Sequence, residues 1–332
     1  MALTREVRCL TTKVFLCKIK QLALCHKIIM DLSLNQGKLI ETSNIEDKLF
    51  IDRDVSLSML RIDTIDKVIS GNKLFKLTYY LEDAINSHHK KVISFGGAYS
   101  NHLAATALAC KINAIEFIGL VPGVEPLYLS HTLQGCIRNG MQLKFIARRS
   151  YGQKESNDFN SQLLQQYGHH TLIPEGGFGP LGVQGASNIS KYIDVLNFTH
   201  VCLPVGSGTT IAGIRKTLPK HIIVIGFTPL SQINDIESKI CLLLNQSESD
   251  CKLINHYHFG GFGKFKADQL SFMNRFYSDH GIATDFVYTG KMMFGIFDLI
   301  RSDYFGRGSK ILCIHTGGLQ GNISLPEHSL CF

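Results

Sequence analysis

The sequence lacks paired cysteines. Its ten cysteines stand singly along the chain, several of them inside apolar runs, and none belongs to a Cys-x-x-Cys pair. Disulfide scaffolds need paired, regularly spaced cysteines, whereas scattered thiols are typical of proteins that fold in a reducing cytosol. We therefore expect a cytoplasmic protein with buried free thiols.

Metal-ligand spacing is also absent from the sequence. The histidine pairs His88-His89, His169-His170 and His256/His258 lack the helical i, i+4 spacing or the cysteine partners of a zinc site. We interpret them as surface or loop residues and expect no metal.

No hydrophobic run near the start of the chain is long enough for a membrane span. The first 29 residues contain only short apolar pieces, Val14 to Cys17 and Leu22 to Cys25, which lysines interrupt. This excludes a signal-peptide core and a spanning helix there. Segment 1–29 is then either a basic targeting or interfacial extension, or an upstream translation with Met30 as the true start, which we favour. We expect no membrane partner.

Positive charge in excess is concentrated at the beginning of the chain. The formal net charge is +7, but six basic residues and one acidic residue contribute +5 before Asp31, which leaves about +2 for the rest. The remaining sequence has no basic stripe interleaved with aromatic residues, which is the usual footprint of nucleic-acid binding. We therefore expect a small-molecule ligand and no nucleic-acid partner.

The sequence does contain the alternating pattern of an α/β protein. A length of 332 residues with 45% hydrophobic and 18% charged residues allows two domains with sizeable cores. Short β-branched runs alternate with helical patterns, which indicates βαβ units, parallel sheets and, for this length, two sheets rather than one. The predicted strands are Val92 to Phe95, Ala114 to Val121, Met141 to Ile146, Thr171 to Pro174, His200 to Val205, Ile222 to Phe227 and Ile311 to Ile314.

Lys73 follows Gly71-Asn72 and opens a predicted helix, because apolar residues recur with helical spacing at positions 74, 77, 81, 84 and 85. In the first turn the helix field opposes a positive charge and favours the neutral amine, which is the form that attacks an aldehyde. The position suits a Schiff-base lysine. The alternative is an exposed helix lysine, as we expect Lys76 to be.

A second glycine-rich stretch is predicted to bind phosphate. The strand that ends at Val205 runs into Gly206-Ser207-Gly208-Thr209-Thr210 and then into a helical pattern. Free N–H groups at such a helix start bind phosphate, and glycines allow the backbone to approach the anion. The spacing matches neither a P-loop nor a dinucleotide fingerprint, so a single phosphate monoester fits better. A tight turn without a ligand is the alternative.

Ser100-Asn101-His102 lies where the first predicted strand passes through two glycines into an alanine-rich helix. Ser100 or Asn101 is expected to cap this helix. The same helix start can hold a substrate carboxylate through its amides.

Five motifs, in this order, resemble those of the aminocyclopropanecarboxylate deaminase and D-cysteine desulfhydrase family. They are Gly71-Asn72-Lys73, Ser100-Asn101-His102, Gly206-Ser207-Gly208-Thr209, Tyr288-Thr289-Gly290-Lys291 and His315-Thr316-Gly317-Gly318, in a resemblance that runs from about Ser56 to Asn322. The resemblance implies pyridoxal 5'-phosphate as the cofactor. It also implies an α/β, tryptophan-synthase-β-like fold (fold type II) with two three-layer domains built on open parallel sheets.

The resemblance also implies roles for the motif residues. Lys73 would form the Schiff base and later move the Cα proton, Ser100 would hold the substrate carboxylate, and Tyr288 would lie over the substrate. Asn101 and His102 would complete the substrate-binding set. The implied cofactor-binding residues are Lys73, Asn101 at the ring hydroxyl, Thr316 at the pyridine nitrogen, and Gly206, Ser207, Gly208, Thr209 and Thr210 at the phosphate.

The two activities of this family differ at two of the motifs. The deaminase pattern at these motifs is Tyr-Glu-Gly-Lys and His-Leu-Gly-Gly. The desulfhydrase pattern is Tyr-Thr/Ser-Gly-Lys and His-Thr-Gly-Gly. By this resemblance, Thr289 and Thr316 favour the desulfhydrases. A carboxylate beside the ring nitrogen deepens the electron sink, and cyclopropane ring opening needs this more than thiolate expulsion does. The predicted reaction is the elimination of D-cysteine to pyruvate, ammonia and sulfide.

Three residues depart from the family pattern. Phe75, Tyr99 and Phe262 stand where an arginine, a glutamine and a second active-site tyrosine are usual. Several alternatives therefore stay open: 1-aminocyclopropane-1-carboxylate deamination, elimination or racemisation of other small amino acids, and a pyridoxal-phosphate-binding protein without turnover. An ordinary nucleotide-binding α/β protein is a further alternative.

We also predict two α/β domains, the smaller of which is inserted between the Lys73 helix and the phosphate loop. We expect residues 30–76 and 190–332 to form a larger cofactor domain and residues 77–189 to form a smaller inserted domain, with the cofactor in the cleft between them. Segment 1–29 stands outside both. The expected partners are a small amino-acid substrate and a second copy of the chain, as a homodimer.

Overall fold

The computed structural model describes residues 40–66 and 69–332. Segment 1–29, with both interpretations of it, and residues 30–39 of the predicted larger domain lie outside the described residues. The strands are β1 Thr42–Ile45, β2 Ser56–Leu60, β3 Lys91–Phe95, β4 Glu116–Pro122, β5 Met141–Ile146, β6 Thr171–Ile173, β7 His200–Pro204, β8 Ile223–Phe227, β9 Lys252–Ile254 and β10 Lys310–Ile314. The helices are α1 Lys48–Arg53, α2 Asn72–Asn86, α3 Asn101–Ile112, α4 His131–Arg138, α5 Arg148–Gly152, α6 Asn157–Tyr167, α7 Pro180–Ser187, α8 Thr209–Thr217, α9 Asn234–Leu244, α10 Ala267–His280 and α11 Thr289–Arg301. Within the described ranges, no helix is long and apolar enough to cross a membrane.

These strands form two sheets. One sheet has six strands in the order β1-β2-β10-β7-β8-β9, and the other has four in the order β5-β4-β3-β6. Every pairing is parallel except that of β1 with β2. Parallel neighbours need crossover connections, and helices supply most of them. The predictions of an α/β fold with parallel sheets, and of two sheets rather than one, are confirmed.

All seven predicted strands occur, each within two residues of its predicted bounds, but β1, β2 and β9 were not predicted. Strand β2 is internal to its sheet, yet its sequence Ser-Leu-Ser-Met-Leu contains no β-branched residue. Strands β1 and β9 have only four and three residues and lie at the two edges of the sheet. Runs this short carry too little periodicity to separate a strand from a turn.

Helix α7 sets the distance between helices α2 and α8. A Cβ on Gly185 of α7 would overlap the backbone carbonyl of Phe75 in α2, and a Cβ on Gly213 of α8 would lie 2.6 Å from the Cβ of Ala186 in α7. Such close backbone approach requires glycine. The first turns of α2 and α8 are therefore held at a fixed separation, and they carry Lys73 and the end of the predicted phosphate loop.

The described cysteines are free thiols, and four of these seven are buried. Cys202 and Cys313 are register partners on the adjacent strands β7 and β10, in the core of the larger sheet. Burial raises the pKa of both thiols, so they stay protonated and act as small apolar side chains.

Candidate active site

Three loops at the carboxyl ends of strands build the candidate site. Residues 96–100 follow β3, residues 205–208 follow β7, and residues 315–318 follow β10. The carboxyl ends of strands in an open parallel sheet are the usual place for a ligand. The start of α2 joins them, because the N–H of Asn72 donates to the carbonyl of Thr316 (3.4 Å).

Gly71 allows α2 to begin directly against Thr316. Its φ of +63° is in the left-handed region, and a Cβ there would overlap the carbonyl oxygen of Thr316. The side-chain amide of Asn72 donates to the hydroxyl of Thr210 (2.8 Å), and both groups are buried. The Gly-Asn pair of the motif thus fixes Lys73 between the His-Thr-Gly-Gly loop and the predicted phosphate loop.

We expect Gly71→Ala to lower the free energy of unfolding by about 2–4 kcal/mol, because alanine would combine left-handed strain with overlap on the Thr316 backbone. Urea unfolding measures the difference. Gly152→Ala is the matched control, since a Cβ at that helical glycine meets nothing within 4 Å. Equal stability of Gly71→Ala and the natural protein would contradict this account of the motif.

The environment of Lys73 favours its neutral amine. Its Nζ donates to Oδ1 of Asn72 (2.6 Å). Burial lowers the pKa of Lys73 to about 8, although the nearby negative charge of Asp285 opposes the shift. The direction agrees with the sequence prediction, but the main cause is burial rather than the helix field.

The expectation that Lys76 is an exposed helix lysine is wrong. The residue is 3% exposed, and its Nζ donates to the carbonyl of Gly176. Burial, together with the positive charge of Lys73, lowers the pKa of Lys76 well below its usual range. A Cβ on Gly176 would lie 3.4 Å from the side chain of Ser207, so Lys76 reaches the edge of the phosphate loop. Its burial follows from the packing of α2 on α7, which helical spacing alone does not reveal.

The Gly206–Thr210 loop has the geometry of an anion cradle. Gly208 takes φ +81° immediately before α8 begins at Thr209, and the first amides of a helix have no carbonyl partner within it. The hydroxyls of Ser207 and Thr209 lie 3.0 Å apart. A Cβ on Gly208 would lie 2.9 Å from Cγ1 of Ile240, so α9 packs directly against the loop. The loop therefore offers backbone amides and hydroxyls to one anion.

Ser100 caps α3, because its hydroxyl accepts from the N–H of Leu103 (3.2 Å). Asn101 follows as the first helical residue. Its Oδ1 is buried and has no hydrogen-bond partner among the described residues, and a Cβ on Gly318 would lie 2.9 Å from its Nδ2. An unpaired buried carbonyl oxygen is costly, so a bound group that donates a hydrogen bond here would satisfy it.

His102 is buried behind the same loop. Its Nε2 lies 2.9 Å from Oγ of Ser94, whose hydroxyl donates to the carbonyl of Ile173 (2.8 Å). Nε2 therefore carries the proton, and Nδ1 is left as an acceptor without a partner among the described residues. Burial and the charges of Lys76 and Lys73 lower the pKa of His102 well below its usual range, so the ring is neutral. The contact of His102 with substrate stays a prediction.

Asp285, which is not among the predicted site residues, organises the Tyr-Thr-Gly-Lys motif. Its carboxylate is 1% exposed and accepts from the backbone N–H groups of Val287 (3.0 Å), Tyr288 (2.9 Å) and Thr289 (2.9 Å). It thereby caps α11 and holds the residues at its start. An aspartate shortly before a helical pattern is a capping signal that could have revealed it.

Tyr288 reaches over the phosphate loop. A Cβ on Gly206 would lie 3.0 Å from the hydroxyl oxygen of Tyr288. Burial and the negative charges of Asp285 and Glu175 raise the pKa of Tyr288 above its ordinary range, so the phenol keeps its proton. The ring of Phe262 meets the ring of Tyr288 edge to face, with centroids 5.9 Å apart. The residue that replaces the usual second tyrosine therefore lies beside the predicted one.

His315 fastens the His-Thr-Gly-Gly loop from inside the core. Its Nε2 donates to the carbonyl of Ala283 (2.8 Å), and its Nδ1 accepts from the N–H of Gly317 (3.2 Å). Thr316 is buried at the same place, with its backbone against the start of α2. The loop thus forms a wall beside the start of α2, which carries Lys73.

These contacts bring several of the predicted site residues together, and the groups gathered there fit pyridoxal phosphate. A buried amine of lowered pKa suits its aldehyde, free helix amides suit its phosphate, and an unpaired amide oxygen suits its ring hydroxyl. The contacts that gather the site are Lys73 to Thr210 and Thr316 through Asn72, Asn101 to Gly318, and Tyr288 to Gly206.

Known proteins are similar to this chain in sequence and in fold. Residues 66–317 match the sequence model of a family described as pyridoxal-phosphate dependent enzyme. A Pyrococcus horikoshii protein provisionally named 1-aminocyclopropane-1-carboxylate deaminase is 30% identical over 283 residues, which cover 79% of this chain and 84% of the relative. The Arabidopsis thaliana protein named bifunctional D-cysteine desulfhydrase/1-aminocyclopropane-1-carboxylate deaminase, mitochondrial, is 28% identical over 288 residues, covering 79% of this chain and 72% of the relative. The crystal structure of an ACC deaminase homologue matches with a TM-score of 0.72 and 28% identity, covering 85% of this chain and 90% of that one.

The chain belongs to the family of pyridoxal-phosphate dependent enzymes, in the group of aminocyclopropanecarboxylate deaminases and D-cysteine desulfhydrases. Its fold is that of fold type II, and pyridoxal phosphate is its cofactor. The predicted family and the predicted cofactor are confirmed. The prediction that the protein is a pyridoxal-phosphate-dependent lyase or deaminase is confirmed as well. The alternative of an ordinary nucleotide-binding protein is wrong.

Proposed function

We propose that the enzyme catalyses the α,β-elimination of D-cysteine to pyruvate, ammonia and sulfide. The observation that carries this proposal is the pair of hydrogen bonds between Thr289 and Asp285. The hydroxyl of Thr289 donates to the carboxylate of Asp285 (2.7 Å) and accepts from the N–H of Asp285 (2.8 Å), and Thr289 is fully buried. In the deaminase pattern this position is a glutamate, whereas here it is a neutral threonine. The hydroxyl of Thr289 makes its hydrogen bonds to Asp285, within the cap of α11.

A neutral residue at position 289, together with Thr316, favours a substrate with a good leaving group. Pyridoxal phosphate, when bound, supplies an electron sink for the charge left at the substrate Cα. Neither threonine side chain adds a carboxylate that would deepen this sink. Expulsion of a thiolate needs a weaker sink than opening of a cyclopropane ring, since the ring carbon is the poorer leaving group.

Each proposed role uses a property of the chain. Lys73, with burial favouring its neutral amine, moves the proton at Cα. Ser100 and the first amides of α3 bind the substrate carboxylate, and Tyr288 donates its retained phenolic proton in a hydrogen bond to the substrate. Oδ1 of Asn101 accepts from the cofactor's ring hydroxyl, and the Gly206–Thr210 loop binds its phosphate.

Product analysis tests the substrate assignment. In the proposed reaction the Cα proton is removed, the C–S bond breaks, and the released enamine takes up one water to give pyruvate and ammonia. We expect equal amounts of sulfide and pyruvate from D-cysteine. L-cysteine and 1-aminocyclopropane-1-carboxylate serve as matched substrates, the second of which gives 2-oxobutanoate and no sulfide. Faster release of 2-oxobutanoate than of sulfide would overturn the desulfhydrase assignment.

Deamination of 1-aminocyclopropane-1-carboxylate is the second candidate, and Asp285 is the observation that favours it. A Cβ on Gly318 would lie 3.7 Å from Cγ of Asp285, and the negative charge of Asp285 acts on Lys73. A carboxylate thus lies at the site even though residue 289 is a threonine. Comparing the release of 2-oxobutanoate from 1-aminocyclopropane-1-carboxylate with the release of sulfide from D-cysteine separates the two candidates.

Uptake of the cofactor by the apoprotein is expected to depend on pH through Lys73. The neutral amine is the nucleophile, and the pKa of Lys73 is lowered by burial to about 8. The rate of uptake, followed by absorbance in rapid mixing, should rise with pH and level off above about 8. A rate that continued to rise to 10.5, the ordinary pKa of lysine, would contradict this assignment.

The domain organisation also stays a proposal. All four strands of the smaller sheet, β3 to β6, fall within residues 77–189, and the six strands of the larger sheet fall outside that range. This supports a smaller inserted domain and a cofactor cleft between the sheets.

The proposed homodimer is tested by light scattering of the purified protein.

A further inference from the structure

The loop that carries Phe262, residues 258–264, is built around left-handed backbone. Phe259, Gly260, Gly261 and Gly263 take φ values of +52°, +96°, +118° and +67°. The loop has few hydrogen bonds of its own, namely Gly260 N–H to Nδ1 of His258 (3.0 Å), Gly261 N–H to the carbonyl of His258 (3.0 Å) and Lys264 N–H to the carbonyl of Gly261 (3.1 Å). The Phe262 side chain at its tip is 60% exposed. Such a segment needs an external support to hold one conformation.

Lys291 supplies that support from the first turn of α11. It is 3% exposed, and its Nζ donates to the carbonyls of His258 (2.7 Å) and Gly261 (2.9 Å). A buried amine satisfied by two carbonyls of one loop ties that loop to the helix, because breaking the contact would leave the amine unpaired.

Two ring contacts flank this tether on the same face of α11. Phe259 meets Phe294 edge to face with centroids 5.0 Å apart, and Phe262 meets Tyr288 at 5.9 Å. Tyr288, Lys291 and Phe294 are spaced three residues apart, so they follow one side of the helix. The helix that presents the active-site tyrosine therefore also sets the position of the loop.

We propose that Lys291 is a positioning residue that locks the ring of Phe262 against Tyr288, and that this ring forms an apolar wall which favours substrates with a thiol or thioether at Cβ over those with a hydroxyl. The inference rests on the proposed function in one respect, since it takes the pocket beside Tyr288 to bind an amino acid. A phenyl edge offers no hydrogen-bond partner to a hydroxyl, which would lose its water there. A soft sulfur atom packs well against an aromatic edge.

Amide hydrogen exchange of the enzyme with its cofactor tests the tether without relying on turnover. We expect Lys291→Met to speed exchange of the peptide covering residues 258–264 by about tenfold, because the loop loses two supporting hydrogen bonds. Lys91→Met is the matched control, since Lys91 also donates to a backbone carbonyl, that of Tyr167 (2.8 Å), outside the site. It should leave the loop unchanged. Unchanged loop exchange in Lys291→Met would overturn the proposal.

Lys291→Arg covers the case in which the methionine variant does not fold. The guanidinium of the arginine keeps donors for the two carbonyls. We therefore expect the exchange rate of the loop to fall between that of the natural enzyme and that of Phe262→Ala, a variant that lacks the ring contact with Tyr288. The contrary result is loop exchange in Lys291→Arg as fast as in unfolded peptide, while the rest of the chain stays protected as in the natural enzyme. It would show that Lys291 does not hold the loop through these hydrogen bonds, and it would overturn the proposal.

Kinetics distinguish positioning of Phe262 from a general structural role. We expect Lys291→Met to raise KM for D-cysteine about tenfold with kcat within about twofold, and to have no further effect in the Phe262→Ala background. Phe262→Tyr should lower the kcat/KM preference for D-cysteine over D-serine by about fivefold, since the hydroxyl returns a polar partner. Additive effects of the two changes, or an unchanged preference, would overturn the proposal. If no amino acid is turned over, the proposed function fails while the exchange experiment still decides the tether.

Discussion

Replacing Lys73 with alanine is expected to abolish covalent attachment of the cofactor and to lower kcat by at least about 10³-fold. Two properties place the reactive amine on this residue. Its pKa is lowered to about 8 by burial, and it lies at the start of α2 between the Thr316 wall and the phosphate loop, to which Asn72 is hydrogen bonded. The fold should survive, because Nζ of Lys73 makes its side-chain hydrogen bond only to the adjacent Asn72 among the described residues.

The measurement is borohydride reduction of the enzyme with its cofactor, followed by peptide mass mapping. The natural enzyme should carry one pyridoxyl group on the peptide with Lys73, and Lys73→Ala should carry none. Lys76→Met is the sharper control, because Lys76 is also buried and also has a lowered pKa, one turn along the same helix. That variant should still be labelled at Lys73. A label on Lys76 in the natural enzyme would contradict the assignment.

Replacing Asp285 with alanine is expected to cost about 3–5 kcal/mol of stability, the largest effect that we expect from a single residue outside the apolar core. The carboxylate is 1% exposed and accepts three backbone N–H groups and the hydroxyl of Thr289. Alanine would leave these donors without a partner at the start of α11. Chemical denaturation with urea measures the loss.

Asp285 also acts on Lys73 through its charge. Its negative charge raises the pKa of Lys73 against the larger effect of burial. Both Asp285→Ala and Asp285→Asn remove that charge, so the pH midpoint for cofactor uptake should move below that of the natural enzyme. The asparagine keeps one acceptor oxygen and should lose less stability than the alanine. An unchanged midpoint together with unchanged stability would contradict the role assigned to Asp285.

The sequence predicts those parts of the site whose chemistry is local. Lys73, Ser100 and the Gly206–Thr210 loop each lie at a helix start that follows glycines, and glycines and caps are visible without knowledge of the fold. Six of the seven predicted strands have five to seven residues, which is long enough for an apolar run to stand out. Strand β6 has only three residues, and its place in the alternation of strands and helices predicted it. Thr316 was assigned through motif resemblance, because nothing in its own neighbourhood predicts that its carbonyl meets Gly71.

The supporting residues could not be predicted in this way, because their roles depend on contacts between distant segments. Lys76 is covered by residues about 100 positions later in the chain, since Gly177 lies against its side chain and Gly185 lies against its Cα. Lys291 belongs to one of the five motifs, but the motif does not predict its partners, because their carbonyls lie about 30 residues earlier in a loop without periodicity. A charged side chain that is buried against a backbone segment far away in the sequence depends on tertiary contacts. Composition and residue spacing do not predict such contacts.

The proposed elimination is tested by the visible absorbance spectrum of the enzyme with pyridoxal phosphate, recorded before and after addition of D-cysteine. Sulfide and pyruvate are quantified in the same samples. We expect a band of the lysine-bound cofactor that is absent from Lys73→Ala. D-cysteine should shift or bleach this band while sulfide and pyruvate appear in equal amounts. A band that is present but unchanged by D-cysteine, with no sulfide released, would contradict the proposed reaction.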